Sequence, residues 1–170
     1  MNLDTLLNSD AVIASSEIKS KKRALEVLAE ALAKNTAINN QQDNSENPPS
    51  ENTNALEIFR LLIEREKLGS TSLGHGVALP HTRTRLTDHA IGAFLKLAEG
   101  IDFDSPDNQK TDLIFALMVP EHYTDEHLKI LSYLATLFCD EAFCNAIRNT
   151  DNNKEIYHHL INWQIASQAS

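Results

Sequence analysis

Cysteine, basic charge and long apolar runs are all in short supply in this chain, and each shortage excludes a class of protein. Cys139 and Cys144 are its 2 cysteines. They are too few and wrongly spaced for a zinc knuckle or a CxxC redox pair, so they read as reduced, buried thiols. Lys and Arg number 15 against 24 Asp and Glu, a net charge of -9. Duplex binding draws its affinity from basic side chains that neutralise phosphates, so nucleic acid is not an expected partner. No apolar stretch approaches the roughly 20 residues that span a bilayer, so membrane insertion is not expected either. The opening MNLDTLLNSD lacks the charged start and apolar core of a signal peptide, which makes the cytoplasm the expected compartment. Aromatics are 6% of the residues and hydrophobics 42%. What remains is an acidic globular protein with an aliphatic core, and 170 residues suit one domain.

Residues 39–54, NNQQDNSENPPSENTN, contain no aliphatic or aromatic side chain. Such a segment cannot bury enough surface to offset the entropy of ordering, so it reads as a flexible polar insert within a single domain, 1–170. Before it, SKKRALEVLAEALAKN has Leu25, Leu28, Ala29 and Leu32 at the spacing of one helical face, with Ser20 as N-cap. After it, NALEIFRLLIEREKLG reads as a helix capped by Asn54, with Leu56, Phe59, Leu62 and Ile63 as its buried stripe and Gly69 as its stop. GVALP, AIGAFLKL and DLIFALMVP are short aliphatic runs bounded by Gly and Pro, which favours strands; the last is apolar enough to be central. From Thr124 the helical period returns in Leu128, Leu131, Leu134, Ala135 and Phe138, and shorter helices follow around CDEAFCNAIRN and NKEIYHHLINWQ. The expected fold is α/β: a single-domain sandwich with a mixed β-sheet flanked by helices.

The stretch GHGVALPHTR, residues 74–83, puts a histidine directly after a proline at a strand end. Pro80 removes a donor and limits its own backbone, while Gly74 and Gly76 permit close approach. Strand ends are where open α/β folds present ligands, and a neutral imidazole is a good nucleophile near pH 7. On those ten residues alone, a histidine that merely closes a strand fits as well. Arg65, near the end of the second helix, can reach His81 and offers a planar fork of donors to phosphate; alternatively it is a surface arginine beside Glu64 and Glu66. His127 falls in the first turn of the helix after DLIFALMVP, where the dipole disfavours imidazolium and free amides favour an anion.

REKLGSTSLGHGVALPH, residues 65–81, resembles the active-site signature of the enzyme IIA proteins of the mannitol and fructose class in the bacterial phosphotransferase system. Glu66, Leu73-Gly74, Val77-Ala78-Leu79 and Pro80-His81 fall at the family spacing, and the likeness continues through DNQKTDLIFALMVP and HLKILSYLA. SKKRALEVLAE is similar to the nitrogen-regulatory (PtsN-like) branch, which works as a stand-alone cytoplasmic regulator. The resemblance implies a mannitol-type enzyme IIA fold. It implies that His81 accepts phosphate from an HPr-like phosphocarrier charged by a phosphoenolpyruvate-dependent enzyme I, that Arg65 is the active-site arginine and His127 the second histidine, and that no cofactor or metal takes part. The chain departs from the family just after the histidine: a small residue, most often Gly, is usual there, whereas Thr82 and Arg83 follow here. The Thr82 hydroxyl can bond the phosphate or His81, and its bulk can narrow the carrier's approach.

Three rival readings stand beside this one. An enzyme IIA component can serve a sugar transporter. A metal-dependent hydrolase would need His75, His81, His122 and His127 to cluster, though His75 and His81 are not a helical ligand pair. A non-catalytic binding module would leave His81 structural. The sequence names no regulated target.

Overall fold

The computed structural model describes residues 3–39 and 51–163. After a 3-10 turn at Leu3–Thr5, the elements are β1 (Leu7–Ser15), α1 (Lys21–Asn39), α2 (Glu51–Lys67), β2 (Ser72–Gly74), β3 (Val77–Ala78), β4 (His81–Thr84), β5 (Ile91–Ile101), β6 (Thr111–Pro120), α3 (Asp125–Phe138), α4 (Glu141–Arg148) and α5 (Asn153–Asn162). The six strands form one sheet in the order β1-β5-β6-β3-β2, with β4 also on β6. β1 with β5, and β3 and β4 with β6, are parallel; β5 with β6 and β2 with β3 are antiparallel. The sheet is therefore mixed and flanked by helices, as the sequence implied.

DLIFALMVP is the centre of the sheet. β5 pairs along one side of it and β3 and β4 along the other, so its side chains find protein on both faces and nearly all are buried. β1 escapes sequence reasoning because it is an edge strand. Asn8, Ser9 and Asp10 are exposed, only Leu7, Ala11 and Val12 are buried, and a register shift between Leu7 and Val12 breaks the alternation.

Ser20 caps α1 as expected: its Oγ accepts from the Arg23 N–H at 3.1 Å, and Leu25, Leu28, Ala29 and Leu32 are fully buried. α2 departs from expectation. It begins at Glu51, so Asn54 lies inside the helix and is 5% exposed instead of capping it. The buried face steps by four through Asn54, Ile58, Leu62 and Glu66, and Leu56 is 71% exposed. α2 carries apolar residues around much of its circumference, so periodicity left several faces open and packing against α1 selected one. The polar insert expected at 39–54 is helical at both ends, Asn39 and residues 51–54; residues 40–50 lie outside the described residues.

Ile130, Leu134, Leu137 and Phe138 form the buried face of α3. Leu131 and Ala135 are half-buried and Leu128 is 65% exposed, so the expected stripe is rotated. Phe138 stacks on Phe94 of β5 with ring centroids 5.8 Å apart and meets Phe143 of α4 at 5.2 Å. The buried Lys96 donates to the Arg148 and Thr150 carbonyls at 2.9 and 2.6 Å, fastening the end of α4 to β5. No single helix among the described residues is long and apolar enough to cross a membrane.

Candidate functional site

The chain passes β6 twice in succession, first as β3 and then as β4, with Leu79 and Pro80 between. Pro80 therefore interrupts the strand without ending its pairing: its carbonyl accepts from the Leu117 N–H at 2.9 Å, a bond that needs no proline N–H, and His81 opens β4 opposite Leu117. The Leu79 N–H is taken by the Thr71 carbonyl at 3.1 Å, and the Leu79 carbonyl faces the His81 ring. His81 Nδ1 lies 2.8 Å from that oxygen. A carbonyl can only accept, so Nδ1 carries the proton and Nε2 of the neutral ring keeps its lone pair.

His127, half-buried in the first turn of α3, meets His81 edge-on, with ring centroids 5.3 Å apart and planes at 61°. Its Nε2 is buried and has no hydrogen-bond partner among the described residues. Both imidazoles are held below their ordinary pKa. For His81 burial is the largest cause and the Arg65 charge adds to it, while the Leu79 carbonyl and Glu66 act the other way. For His127 burial again leads, followed by His81 and Arg83. The expected free amides at the start of α3 are partly taken: the Glu126 carboxylate accepts from the Thr124 N–H at 3.2 Å, and backbone hydrogen bonds hold Glu126 below the usual carboxylate range.

These depressions fix a sign. The unfolded chain protonates both rings near the ordinary value of 6.5, whereas the folded chain resists until lower pH. The unfolded state then binds more protons, so stability falls as pH drops below about 6.5 and levels off beneath the folded values. Urea titrations from pH 7.5 to 5 should show that decline, and the His81→Gln, His127→Gln double variant should flatten it; an unchanged slope would show that other groups carry it.

Arg65 sits in the last turn of α2, and its Nη1 donates to the Gly69 carbonyl at 2.9 Å. Neither Glu64 nor Glu66 pairs with it: Glu64 pairs with Arg60, and Glu66 with Lys21. Glu66, whose side chain is 4% exposed, accepts from Lys21 Nζ at 2.9 Å, from the Thr71 N–H at 3.2 Å and from the Thr71 hydroxyl. A continuous path results: Lys21 holds Glu66, Glu66 holds Thr71, the Thr71 carbonyl holds Leu79, and the Leu79 carbonyl orients His81. Sequence reasoning missed Lys21 and Thr71. Lys21 is 60 residues from His81 and lay unremarked inside SKKRALEVLAE, as Thr71 did inside REKLGSTSLGHGVALPH.

Of the four histidines of the metal reading, only His81 and His127 meet. His75, at φ 55, occupies the turn between β2 and β3, where its N–H donates to Asp107 and its carbonyl accepts from Arg148. His122 lies edge-on to Tyr123. Among the described residues no cluster of three or more His, Cys, Asp or Glu forms a metal site. Gly76 is needed in the turn, since a Cβ there would come within 2.6 Å of Arg148 Nη2 and 2.8 Å of Asp112 Oδ1. Thr82 points away from the site. Successive strand residues face opposite sides of the sheet, and its hydroxyl donates to the Arg83 carbonyl at 3.3 Å, bonding neither His81 nor a ligand position beside it.

A mixed sheet flanked by helices, with two half-buried histidines meeting beside β4, describes the molecule, and solved structures of phosphotransferase IIA proteins share the fold. IIA mannitol from Escherichia coli superposes with a TM-score of 0.66 at 19% identity, covering 89% of this chain and 96% of that one. Nitrogen regulatory protein IIA-Ntr from Neisseria meningitidis superposes at 0.78 with 33% identity, covering 93% and 98%. The nitrogen regulatory protein of Klebsiella oxytoca is 35% identical over 158 residues, 92% of this chain and 88% of that protein. The family described as "Phosphoenolpyruvate-dependent sugar phosphotransferase system, EIIA 2" matches residues 5–163, and the chain belongs to it as a phosphotransferase component.

Proposed function

We propose that this chain is a phosphohistidine carrier of the phosphoenolpyruvate-dependent phosphotransferase system, accepting its phosphoryl group on His81 Nε2 from a phosphohistidine of an HPr-like protein. It acts in the cytoplasm as a nitrogen-regulatory enzyme IIA, and its partners distinguish the two phosphorylation states. The bond from His81 Nδ1–H to the Leu79 carbonyl carries this reading, because it leaves the Nε2 lone pair available for bond formation. The likeness to nitrogen regulatory proteins over 92% of the chain supports the regulatory half. One continuous core, from Leu3 to Leu160, supports treating residues 1–170 as a single domain, with a polar insert between α1 and α2.

In the transfer, the Nε2 lone pair forms the new N–P bond as the donor's N–P bond breaks. The donor ring, protonated on its other nitrogen, leaves as neutral imidazole. The His81 ring keeps its Nδ1 proton and becomes cationic, a charge that the Leu79 carbonyl stabilises. Arg65 and His127 steady the equatorial oxygens, since in-line placement and charge stabilisation are what this chemistry needs from a protein. Phosphate adds about −1.5 to −2 charges to the face, enough to make or break a partner interface without refolding.

Intact mass after incubation with phosphoenolpyruvate, enzyme I and the HPr-like carrier should show one acid-labile phosphate, and peptide mapping should place it on His81. No phosphate in the presence of a carrier shown to be active, or a phosphate on another residue, would overturn the reading.

A further inference from the structure

The six arginines divide sharply by what they hold. Arg23 pairs with Glu26 and Glu30, Arg60 with Glu57 and Glu64, Arg85 with Glu121 and Arg148 with Asp112. Arg65 and Arg83 alone have no carboxylate partner among the described residues. In a chain with 24 Asp and Glu, two guanidiniums left unneutralised call for a reason. Both lie at the histidine pair: the Arg65 charge bears on His81 and the Arg83 charge on His127.

The strand places Arg83 there. β4 runs beside β6 with His81 opposite Leu117 and Arg83 opposite Val119, so the two side chains project from the same face, about 7 Å apart along the strand. Arg83 is exposed, and its Nη1 makes one long hydrogen bond, 3.4 Å, to the carbonyl of Tyr123 in the loop that leads to His127. Its remaining N–H groups have no acceptor among the described residues, and a bond of that length is readily exchanged for a charged acceptor. Arg65 approaches from the end of α2, whereas Arg83 approaches from β4, on the side of α3. Thr82 does not intervene, because it faces the other side of the sheet.

We propose that Arg83 is a second phosphate-binding guanidinium, which closes on the phosphoryl group of His81 from the side opposite Arg65. The inference rests on the phosphocarrier reading. Bidentate, charge-assisted bonds from two directions hold the three oxygens while the N–P bond forms, and neutralise charge that the two neutral imidazoles cannot.

The test uses phosphoramidate as phosphoryl donor, so that no protein carrier has to dock. Its N–P bond breaks, ammonia leaves with the electron pair, and the phosphoryl group passes to His81 Nε2. Initial rates by intact mass are compared for wild type, Arg83→Ala, Arg83→Lys and, as control, Arg85→Ala, each with its melting temperature. Arg83→Ala should be slower by about tenfold or more with phosphoramidate and with the HPr-like carrier alike, its melting temperature unchanged. Arg83→Lys should recover part of the rate, and Arg85→Ala should match wild type. A wild-type rate for Arg83→Ala with phosphoramidate overturns the proposal. That holds even if the carrier reaction slows, because Arg83 would then serve docking. Wild type that takes phosphate from neither donor overturns the phosphocarrier reading, and this inference with it.

Discussion

His81→Gln should gain no phosphate at all when incubated with phosphoenolpyruvate, enzyme I and the HPr-like carrier under conditions that fully charge wild type. The loss is complete because the electron pair of the new N–P bond belongs to Nε2, and an amide has no nucleophile of that kind to offer. Glutamine is the informative replacement: its amide N–H can still donate toward the Leu79 carbonyl, which separates lost chemistry from lost structure. The companion variant His127→Ala should still be phosphorylated, but about 100-fold more slowly, the usual loss when one preorganised group facing a charged transition state is removed. Quench-flow with intact-mass detection distinguishes the two cases. Phosphate on His81→Gln, or a His127→Ala rate equal to wild type, would break the assignment of roles.

Glu66→Ala should cost about 3 kcal/mol of stability, which for a chain of this size lowers the melting temperature by about 6–12 °C. The carboxylate is 4% exposed and is held by Lys21, the Thr71 amide and the Thr71 hydroxyl. Removing it leaves Lys21, only 19% exposed over the Phe103 ring, with the solvent-exposed Asp104 carboxylate at 3.1 Å as its remaining ion-pair partner, and leaves the Thr71 donors unpaired in a buried place. The loss should reach the site as well. Thr71 holds Leu79, and Leu79 fixes the tautomer of His81, so the phosphorylation rate should fall at temperatures where the variant is still folded. Glu66→Gln keeps an oxygen acceptor for Thr71 and should recover much of the loss. Calorimetry and the rate assay together decide the matter: a rate that falls only in proportion to the unfolded fraction would confine Glu66 to stability.

α2 illustrates the limits of pattern reading. Apolar residues at 56, 59, 62 and 63 suggested one stripe, yet of these only Leu62 is fully buried, and the buried face is completed by Ile58 and by Asn54 and Glu66, polar groups that periodicity sends to solvent. β1 shows the same limit at the sheet edge, where three exposed polar residues and a shifted register hide a strand. β6 and α1 lie at the other extreme: a strand covered on both faces and a helix with one clean stripe each carry a pattern that only one arrangement satisfies.

By itself the sequence determined the class of fold, the net charge of -9, and His81, Arg65 and His127 as candidates, through the run REKLGSTSLGHGVALPH and the helix that follows DLIFALMVP. Those are local properties, written in spacing and composition. Only the tertiary structure decided that His81 and His127 face each other, that Nδ1 and not Nε2 of His81 carries the proton, that Thr82 turns away, and that Arg83 has no carboxylate partner among the described residues. The reason is physical. Tautomer, pKa and pairing depend on which groups from distant parts of the chain approach within a few ångströms, and that depends on the packing of α1, α2, α3 and the sheet together.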